Sequence, residues 1–210
     1  MRLAVLCLGL VSSSLVCPAQ EWELGAAGGY GWPLNSSLNG IANPVSAGTV
    51  PRGAFSAFVA ENLYNYIGGE FQYVFRSGGT ELKSNGITET ASGYSNILVY
   101  NVTVNMTPRE SKFRPFVAAG AGVRIYTNTD RFVTQPLAGI ALLTKGTQVK
   151  PAVSFDGGIK YMLPRHIQAR LDLRVYTSPA PNDLIRRVAP LSFRGWVYDL
   201  VPMAGIAYLF

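Results

Sequence analysis

The chain has 210 residues and a formal net charge of +6, a length that allows one domain or at most two. Its two cysteines, Cys7 and Cys17, both lie among the first 19 residues. Residues 20–210 therefore contain neither a disulfide nor a thiolate metal site, which excludes a small secreted domain held together by disulfides.

The first 19 residues have the pattern of a secretory signal peptide. Arg2 supplies the charged end, residues 3–10 form the apolar run, and the sequence before Ala19 resembles a cleavage site. The apolar run is too short to span a bilayer as a helix, which requires about 20 residues. We expect residues 1–19 to be cleaved and residues 20–210 to form one domain, with 17 basic and 12 acidic residues once Arg2 is removed from the 18 basic ones.

Apolar and polar residues then alternate with a period of two, which predicts strands. Eight segments show the pattern, in chain order 22–32, 53–62, 67–76, 98–106, 117–125, 153–161, 167–176 and 196–210. The facing of the second segment is ambiguous, because Phe55, Phe58 and Val59 do not share one face. Long connections (33–52, 77–94, 127–149 and 178–194) alternate with short ones (63–66, 107–112 and 163–166).

An even number of strands with alternating long and short connections is typical of an antiparallel up-and-down transmembrane β-barrel with short periplasmic turns and four long extracellular loops. A soluble barrel of the lipocalin type is the alternative, with apolar residues inside and charges outside. Aromatic placement favours the membrane barrel, because the apolar face carries aromatic residues at both ends, as expected at bilayer interfaces. These predicted girdles are Trp22, Tyr161, Tyr208 and Phe210 at the periplasmic rim, and Tyr30, Trp32, Tyr73, Phe75, Trp196 and Tyr198 at the outer rim.

The chain resembles the small eight-stranded outer-membrane barrels, the OmpA/OmpX-like β-barrel domain family. The resemblance covers the whole of residues 20–210, and it is carried by the strand pattern, by residues 114–122 at the start of the fifth strand, and by the terminal Gly205, Tyr208 and Phe210. Met203 departs from the family pattern, which usually has a polar residue there. The resemblance implies export to the cell outer membrane, recognition of the C-terminal residues by the barrel-assembly machinery, a monomeric barrel, and contact with lipids that include lipopolysaccharide.

Alternation also predicts which charged side chains point into the barrel. These are Glu70, Arg76, Arg124, Asp156, Lys160, Arg170, Asp172, Arg174 and Asp199. An eight-stranded barrel is just wide enough for side chains to fill, and Gly or Ala residues on the first and fifth strands leave room for long arginines. We expect a plug joined by salt bridges, with a narrow polar path as the alternative.

The charges on the sixth and seventh strands also predict their register. Pairing Asp156 with Arg174 avoids placing two aspartates opposite each other, which would be destabilising. This register places Lys160 opposite Arg170, where we expect water and Asp172 to screen the two positive charges. It also predicts that Arg174→Ala destabilises the barrel by leaving Asp156 buried and unpaired.

Neither an enzyme nor a cofactor or metal site is expected. Lipid A-modifying barrels use a serine and a histidine near the outer face, whereas His166, the one histidine here, lies in a predicted periplasmic turn. We expect the apolar residues 136–143 to form a short helix over the mouth, with an apolar ligand or partner site as the alternative. We expect Arg186 and Arg187 to contact lipopolysaccharide phosphates or solvent. The predicted function is a structural, envelope-stabilising or surface-interaction role with no nucleic-acid partner. The alternative is a narrow transport barrel for small polar or small hydrophobic molecules.

Overall fold

The structure, a computed structural model, describes residues 21–34, 36–38, 45–84, 87–129, 141–143, 145–187 and 196–210. The expected signal peptide lies outside these ranges. Regular structure within them consists of strands: β1 (Glu21–Leu34), β2 (Ser36–Leu38), β3 (Val45–Thr49), β4 (Arg52–Asn62), β5 (Ile67–Ser77), β6 (Thr80–Ser84), β7 (Ile87–Thr90), β8 (Gly93–Asn105), β9 (Phe113–Asn128), β10 (Ala141–Leu143), β11 (Gly146–Met162), β12 (Ile167–Pro179), β13 (Ile185–Arg187) and β14 (Trp196–Leu209). No described segment is a helix long and apolar enough to cross a membrane.

Eight of these strands form one closed antiparallel barrel, in the spatial order β1, β14, β12, β11, β9, β8, β5 and β4. The prediction of an eight-stranded barrel is therefore confirmed. The seam between the first and last strands extends to the end of the chain, where the backbone N–H groups of Trp22 and Phe210 each donate to the other residue's carbonyl at 3.1 Å. Closure leaves no strand of the barrel with an unpaired edge.

The strands are staggered around the barrel. From Glu23, successive partners lead through Ala60, Glu70, Asn101, Gly120, Ser154, Tyr176 and Asp199. Asp199 pairs with Pro33, so the path returns to β1 ten residues beyond its starting point. This stagger tilts the strands and, with the strand number, fixes the diameter of the barrel.

The two ends of the barrel differ. We call the end with residues 63–66, 106–112 and 163–166 the turn end, and the opposite end the loop end. At the loop end, the first two long connections form a four-stranded sheet in the order β2, β3, β6 and β7, and β10 pairs with β13.

These six short strands lie in segments predicted to be loops, and β9 and β11 also extend into the predicted connection 127–149. The predicted helix is wrong for residues 141–143, which form β10, and its other residues lie outside the described ranges. The loop strands are short, and β3 pairs with β6 across a long separation in the chain. Alternation within a single segment carries little signal for such pairing.

The wall of the barrel is apolar outside and polar inside. At the outward positions of the eight barrel strands, Glu61 is the only charged residue, and its Oε1 accepts a hydrogen bond from the Tyr100 hydroxyl at 3.2 Å. The facing of β4, which the sequence leaves ambiguous, is clear in the structure. Phe55 is 51% exposed on the outer wall, whereas Phe58 is 2% exposed and points inward.

Candidate functional site in the barrel lumen

Eleven charged side chains are buried inside the barrel. They include all nine that alternation placed there, which are Glu70, Arg76, Arg124, Asp156, Lys160, Arg170, Asp172, Arg174 and Asp199. Glu23 and Arg114 complete the set. These two were not predicted, although Glu23 lies on the inward face of β1 and Arg114 on that of β9, so alternation indicates both.

Four of these residues form what we call the central quartet: Glu70, Arg170, Asp172 and Arg174. Arg170 donates from Nε to Asp172 Oδ1 at 2.7 Å and from Nη1 to Glu70 Oε2. Arg174 donates from Nη2 to Asp172 Oδ2 at 2.6 Å and from Nη1 to Glu70 Oε1 at 3.2 Å. Each arginine thus bridges both carboxylates, and the quartet contains two positive and two negative charges.

The side chain of Arg170 is also enclosed by aromatic rings. Its Cζ lies 4.7 Å from the ring centroids of both Phe58 and Phe116. Both rings are buried on the inward face. A guanidinium over a desolvated ring gains electrostatic attraction in addition to its hydrogen bonds, so these two aromatic residues help to fix the quartet.

The predicted register of β11 and β12 is confirmed, because Asp156 lies opposite Arg174 and Lys160 opposite Arg170. The expected contacts within it are partly wrong. Lys160 is buried and bonds to Glu23 at 3.0 and 3.2 Å, so neither water nor Asp172 is needed to balance its charge. Asn62 donates to the same Glu23 at 2.9 Å. Glu23 lies on the inward face of β1, with β14 and β12 between it and the strand of Lys160, and this pairing was not predicted.

A second group of charges, the loop-end cluster, contains Asp199, Arg76 and Arg124. Asp199 pairs with Arg76 at 2.5 Å and with Arg124. Thr49, at the end of β3, donates a hydrogen bond to Asp199 Oδ1 at 2.7 Å, which ties the first long connection to the mouth of the barrel. The guanidinium of Arg76 occupies the space over Gly31, where an added Cβ would lie 2.5 Å from its Cζ. Gly31 on β1 thus makes room for a long arginine.

An apolar belt separates the central quartet from the loop-end cluster. On β5, Val74 lies between Glu70 and Arg76, and on β14, Val201 follows Asp199 towards the turn end. The buried members of the belt are Ala27, Ala54, Val74, Ile97, Val99, Ala152, Tyr176, Val201 and Met203. Met203, which departs from the family's terminal pattern, points into this belt and is 4% exposed.

The aromatic residues predicted as girdles lie in two groups. Trp22, Tyr161, Tyr208 and Phe210 are at the turn end, and the rings of Tyr208 and Phe210 stack with centroids 6.2 Å apart. Tyr30, Trp32, Tyr73, Phe75, Trp196 and Tyr198 lie towards the loop end. Gly205, the third residue of the predicted assembly signal, pairs with Ala27 at the seam, and an added Cβ there would lie 2.5 Å from the Ala26 carbonyl oxygen.

The single histidine lies in an exposed turn and not in the lumen. His166 is exposed in the β11–β12 turn, and its ring centroid is 6.4 Å from that of Tyr208. It borders a cavity of about 420 Å³ whose other described lining residues are Arg109, Glu110, Met162, Tyr208, Leu209 and Phe210. None of these is a serine, threonine or cysteine, so the described lining offers no nucleophile of the kind that a histidine base activates. In the described ranges, no group of three or more His, Cys, Asp or Glu residues could hold a metal ion.

No protein-family model matches the chain, and no curated protein matches it. Solved structures do share its fold. OprG, an outer-membrane protein from Pseudomonas aeruginosa, is 15% identical with a TM-score of 0.63, over 91% of this chain and 96% of that one. Neisserial surface protein A is 11% identical with a TM-score of 0.54, over 90% and 97%. AlkL, solved by solid-state NMR in lipid bilayers, is 15% identical with a TM-score of 0.52, over 90% of both chains. The chain therefore has the fold of the small eight-stranded outer-membrane β-barrels.

Proposed function

We propose that the protein is an integral barrel of the bacterial outer membrane with a structural or surface-interaction role and a closed lumen. The single observation that carries the membrane assignment is the distribution of charge across the wall. Eleven charged residues are buried inside, and Glu61 is the one charged residue at the outward positions of the eight described barrel strands. A soluble barrel would have the opposite distribution, because its core must be apolar and its surface solvated. The two aromatic groups at the ends of the outer wall support the same assignment.

The proposed orientation places the turn end in the periplasm and the loop end outside the cell. The alternation of short and long connections supports this, as does the expected leader at residues 1–19. In this orientation Gly205, Tyr208 and Phe210 are presented to the barrel-assembly machinery on the periplasmic side. The sheet formed by β2, β3, β6 and β7 is the surface that the cell displays.

Membrane insertion is tested by an arginine on the outer wall. Leu173 lies on the outward face and is 53% exposed. In a bilayer, Leu173→Arg should cost about 2–4 kcal/mol of folding free energy, as for arginine near the midplane of other barrels. Leu63→Arg in a short turn is the matched control, and it should have little effect. A measurement of urea unfolding in lipid vesicles in which both variants match the parent would contradict the membrane assignment.

The closed lumen is supported by the apolar belt between two sets of ion pairs. The one polar side-chain atom of the belt, the Tyr176 hydroxyl, is already bonded to Gln72, so ions crossing the belt would lose hydration and gain little in return, which is costly. The test is conductance of the refolded protein in a planar bilayer, with a shift in gel mobility on boiling as proof of folding. We expect no channel steps. Reproducible steps would overturn the closed lumen and favour the alternative, a narrow transport barrel.

The proposal includes no enzymatic activity. The one histidine lies at the turn end, and the charged residues of the central quartet bond to each other. Lipids, including lipopolysaccharide, are the proposed surroundings of a monomeric barrel. Arg186 and Arg187 in β13 are the proposed contacts with lipopolysaccharide phosphates. This contact should be lost in vesicles made of lipids without phosphate groups.

A further inference from the structure

Glu61 is the one acidic residue on the outward face of the described barrel strands, and it lies at the turn end. It is the penultimate residue of β4, and its cross-strand neighbours are Trp22 on β1 and Gly69 on β5. Trp22 belongs to the aromatic group at the turn end, so Glu61 lies at the same level of the wall as that group. In the proposed orientation this is the level of the lipid head groups in the periplasmic leaflet.

The Glu61 carboxylate has no cationic partner among the described residues. Its one side-chain hydrogen bond comes from the Tyr100 hydroxyl, which donates to Oε1 at 3.2 Å. Gly69 makes this contact possible, because an added Cβ there would overlap the Tyr100 hydroxyl and lie 3.0 Å from Glu61 Oε1. The carboxylate is only half-buried, and the lumen charges lie on the other side of the wall. One bond from a neutral hydroxyl leaves its negative charge without a balancing charge on this side.

Aromatic and apolar side chains surround the carboxylate. Trp22 lies directly opposite Glu61, and opposed side chains of an antiparallel pair have Cβ atoms about 4.5–5.5 Å apart. The next outward positions towards the loop end form what we call the apolar row, in which Leu24, Val59 and Phe71 pair in register and are exposed. An anion and an indole ring thus lie side by side at the membrane surface, and the wall beyond them is apolar.

We propose that Glu61 binds the ammonium head group of a membrane lipid of the phosphatidylethanolamine class. A primary ammonium has three N–H donors for the carboxylate, and its positive charge is attracted by the face of Trp22. The acyl chains of the same lipid lie along the apolar row. Tyr64 and Tyr66, both exposed in the adjoining turn, have hydroxyl donors for the lipid phosphate. The inference rests on the proposed place of the barrel in the membrane and adds the class of lipid that this face binds.

The test measures which lipids lie next to Trp22. Trp32→Phe and Trp196→Phe together leave Trp22 as the only tryptophan. This single-tryptophan protein is refolded into phosphatidylcholine vesicles that contain either phosphatidylethanolamine or phosphatidylcholine with brominated acyl chains, which quench a neighbouring tryptophan. We expect quenching to show a preference for phosphatidylethanolamine of about two- to five-fold, the range that an exposed ion pair provides. Glu61→Gln should abolish the preference. Glu110→Gln is the matched control, because it removes the same charge from another exposed turn at this end, and it should keep the preference.

The outcomes separate the head-group site from the membrane assignment. Equal quenching by the two lipids in the single-tryptophan protein, or a preference that Glu61→Gln retains, would overturn the site and leave the barrel in the membrane. No quenching by either lipid, from protein whose gel mobility shows it to be folded, would overturn the membrane assignment and the site with it.

A second measurement needs no substitution of Glu61. Brominated phosphatidylethanolamines with one or two N-methyl groups lose N–H donors stepwise and keep the positive charge. Quenching of Trp22 should therefore decline from phosphatidylethanolamine through this series to phosphatidylcholine. The same quenching by every member of the series would refute the proposed site.

Discussion

Replacing Arg174 with alanine tests the energetic role of the central quartet. The variant removes three hydrogen bonds, one to Glu70 at 3.2 Å and two to Asp172 at 2.6 and 3.2 Å. Each such bond to a charged group contributes about 1.5–3 kcal/mol. Removing one partner of a buried ion pair costs about 3–5 kcal/mol, because a charge remains without compensation. We expect a loss of about 3–5 kcal/mol rather than the sum of the bonds, since Arg170 still contacts both carboxylates.

The sequence suggested one reason for this loss, the removal of the partner of Asp156, and the structure agrees with it. Asp156 Oδ2 lies 3.0 Å from Arg174 Nε, and the other guanidinium near it, that of Arg170, is 3.8 Å away. Glu70 and Asp172 each lose bonds as well but keep one to Arg170. The assay is urea unfolding of the barrel refolded into lipid vesicles, followed by the fluorescence of its three tryptophans. Arg165→Ala is the matched control, because Arg165 is an exposed arginine in the β11–β12 turn, and its loss should change stability by less than about 0.5 kcal/mol. Indistinguishable midpoints for the two variants would refute the reasoning.

Three further predictions concern the barrel and its loops. Gly31→Ala should lower the unfolding free energy by about 1–3 kcal/mol, because the new Cβ would lie 2.5 Å from the Arg76 guanidinium. Gly28→Ala is the control for the same urea titration, and it should be nearly neutral because no atom lies within 4 Å of its new Cβ. Arg165 has φ +66°, so Arg165→Gly should raise stability by about 1 kcal/mol, and a lower urea midpoint would show that this strain is not significant. Thr49→Val removes the hydrogen bond to Asp199 and should speed proteolysis of the loop-end sheet without changing barrel unfolding, so an unchanged cleavage rate would contradict the proposed tie.

The features that followed from the sequence are those that depend on alternation. A strand that is apolar on one face and charged on the other can be paired in only one phase, so the charges of Asp156 and Arg174 were enough to predict the β11–β12 register. Alternation was ambiguous on β4 because apolar residues lie on both faces. There Phe58 is directed inward by its contact with the Arg170 guanidinium, an interaction with a distant strand.

Partners across the barrel were harder to predict than facing. The pair of Lys160 and Glu23 joins residues 137 positions apart, and nothing local to either residue indicates the other. The hydrogen bonds of the two quartet arginines were equally hard to predict. Three carboxyl groups lie near these arginines, and only the side-chain geometry decides which carboxyl group accepts no hydrogen bond. Pairing between β3 and β6 likewise joins two connections whose own sequences have no extended alternation.

In the proposed orientation, the sheet at the loop end affects how antibodies would recognise the surface that the cell displays. Since β3 and β6 come from different connections and share a ladder of backbone hydrogen bonds, neither connection is an independent antigenic unit. A synthetic peptide copying either segment alone would lack its pairing partner and would present a different shape. Antibodies raised against the folded barrel should therefore bind a conformational epitope that linear peptides from this region do not compete for.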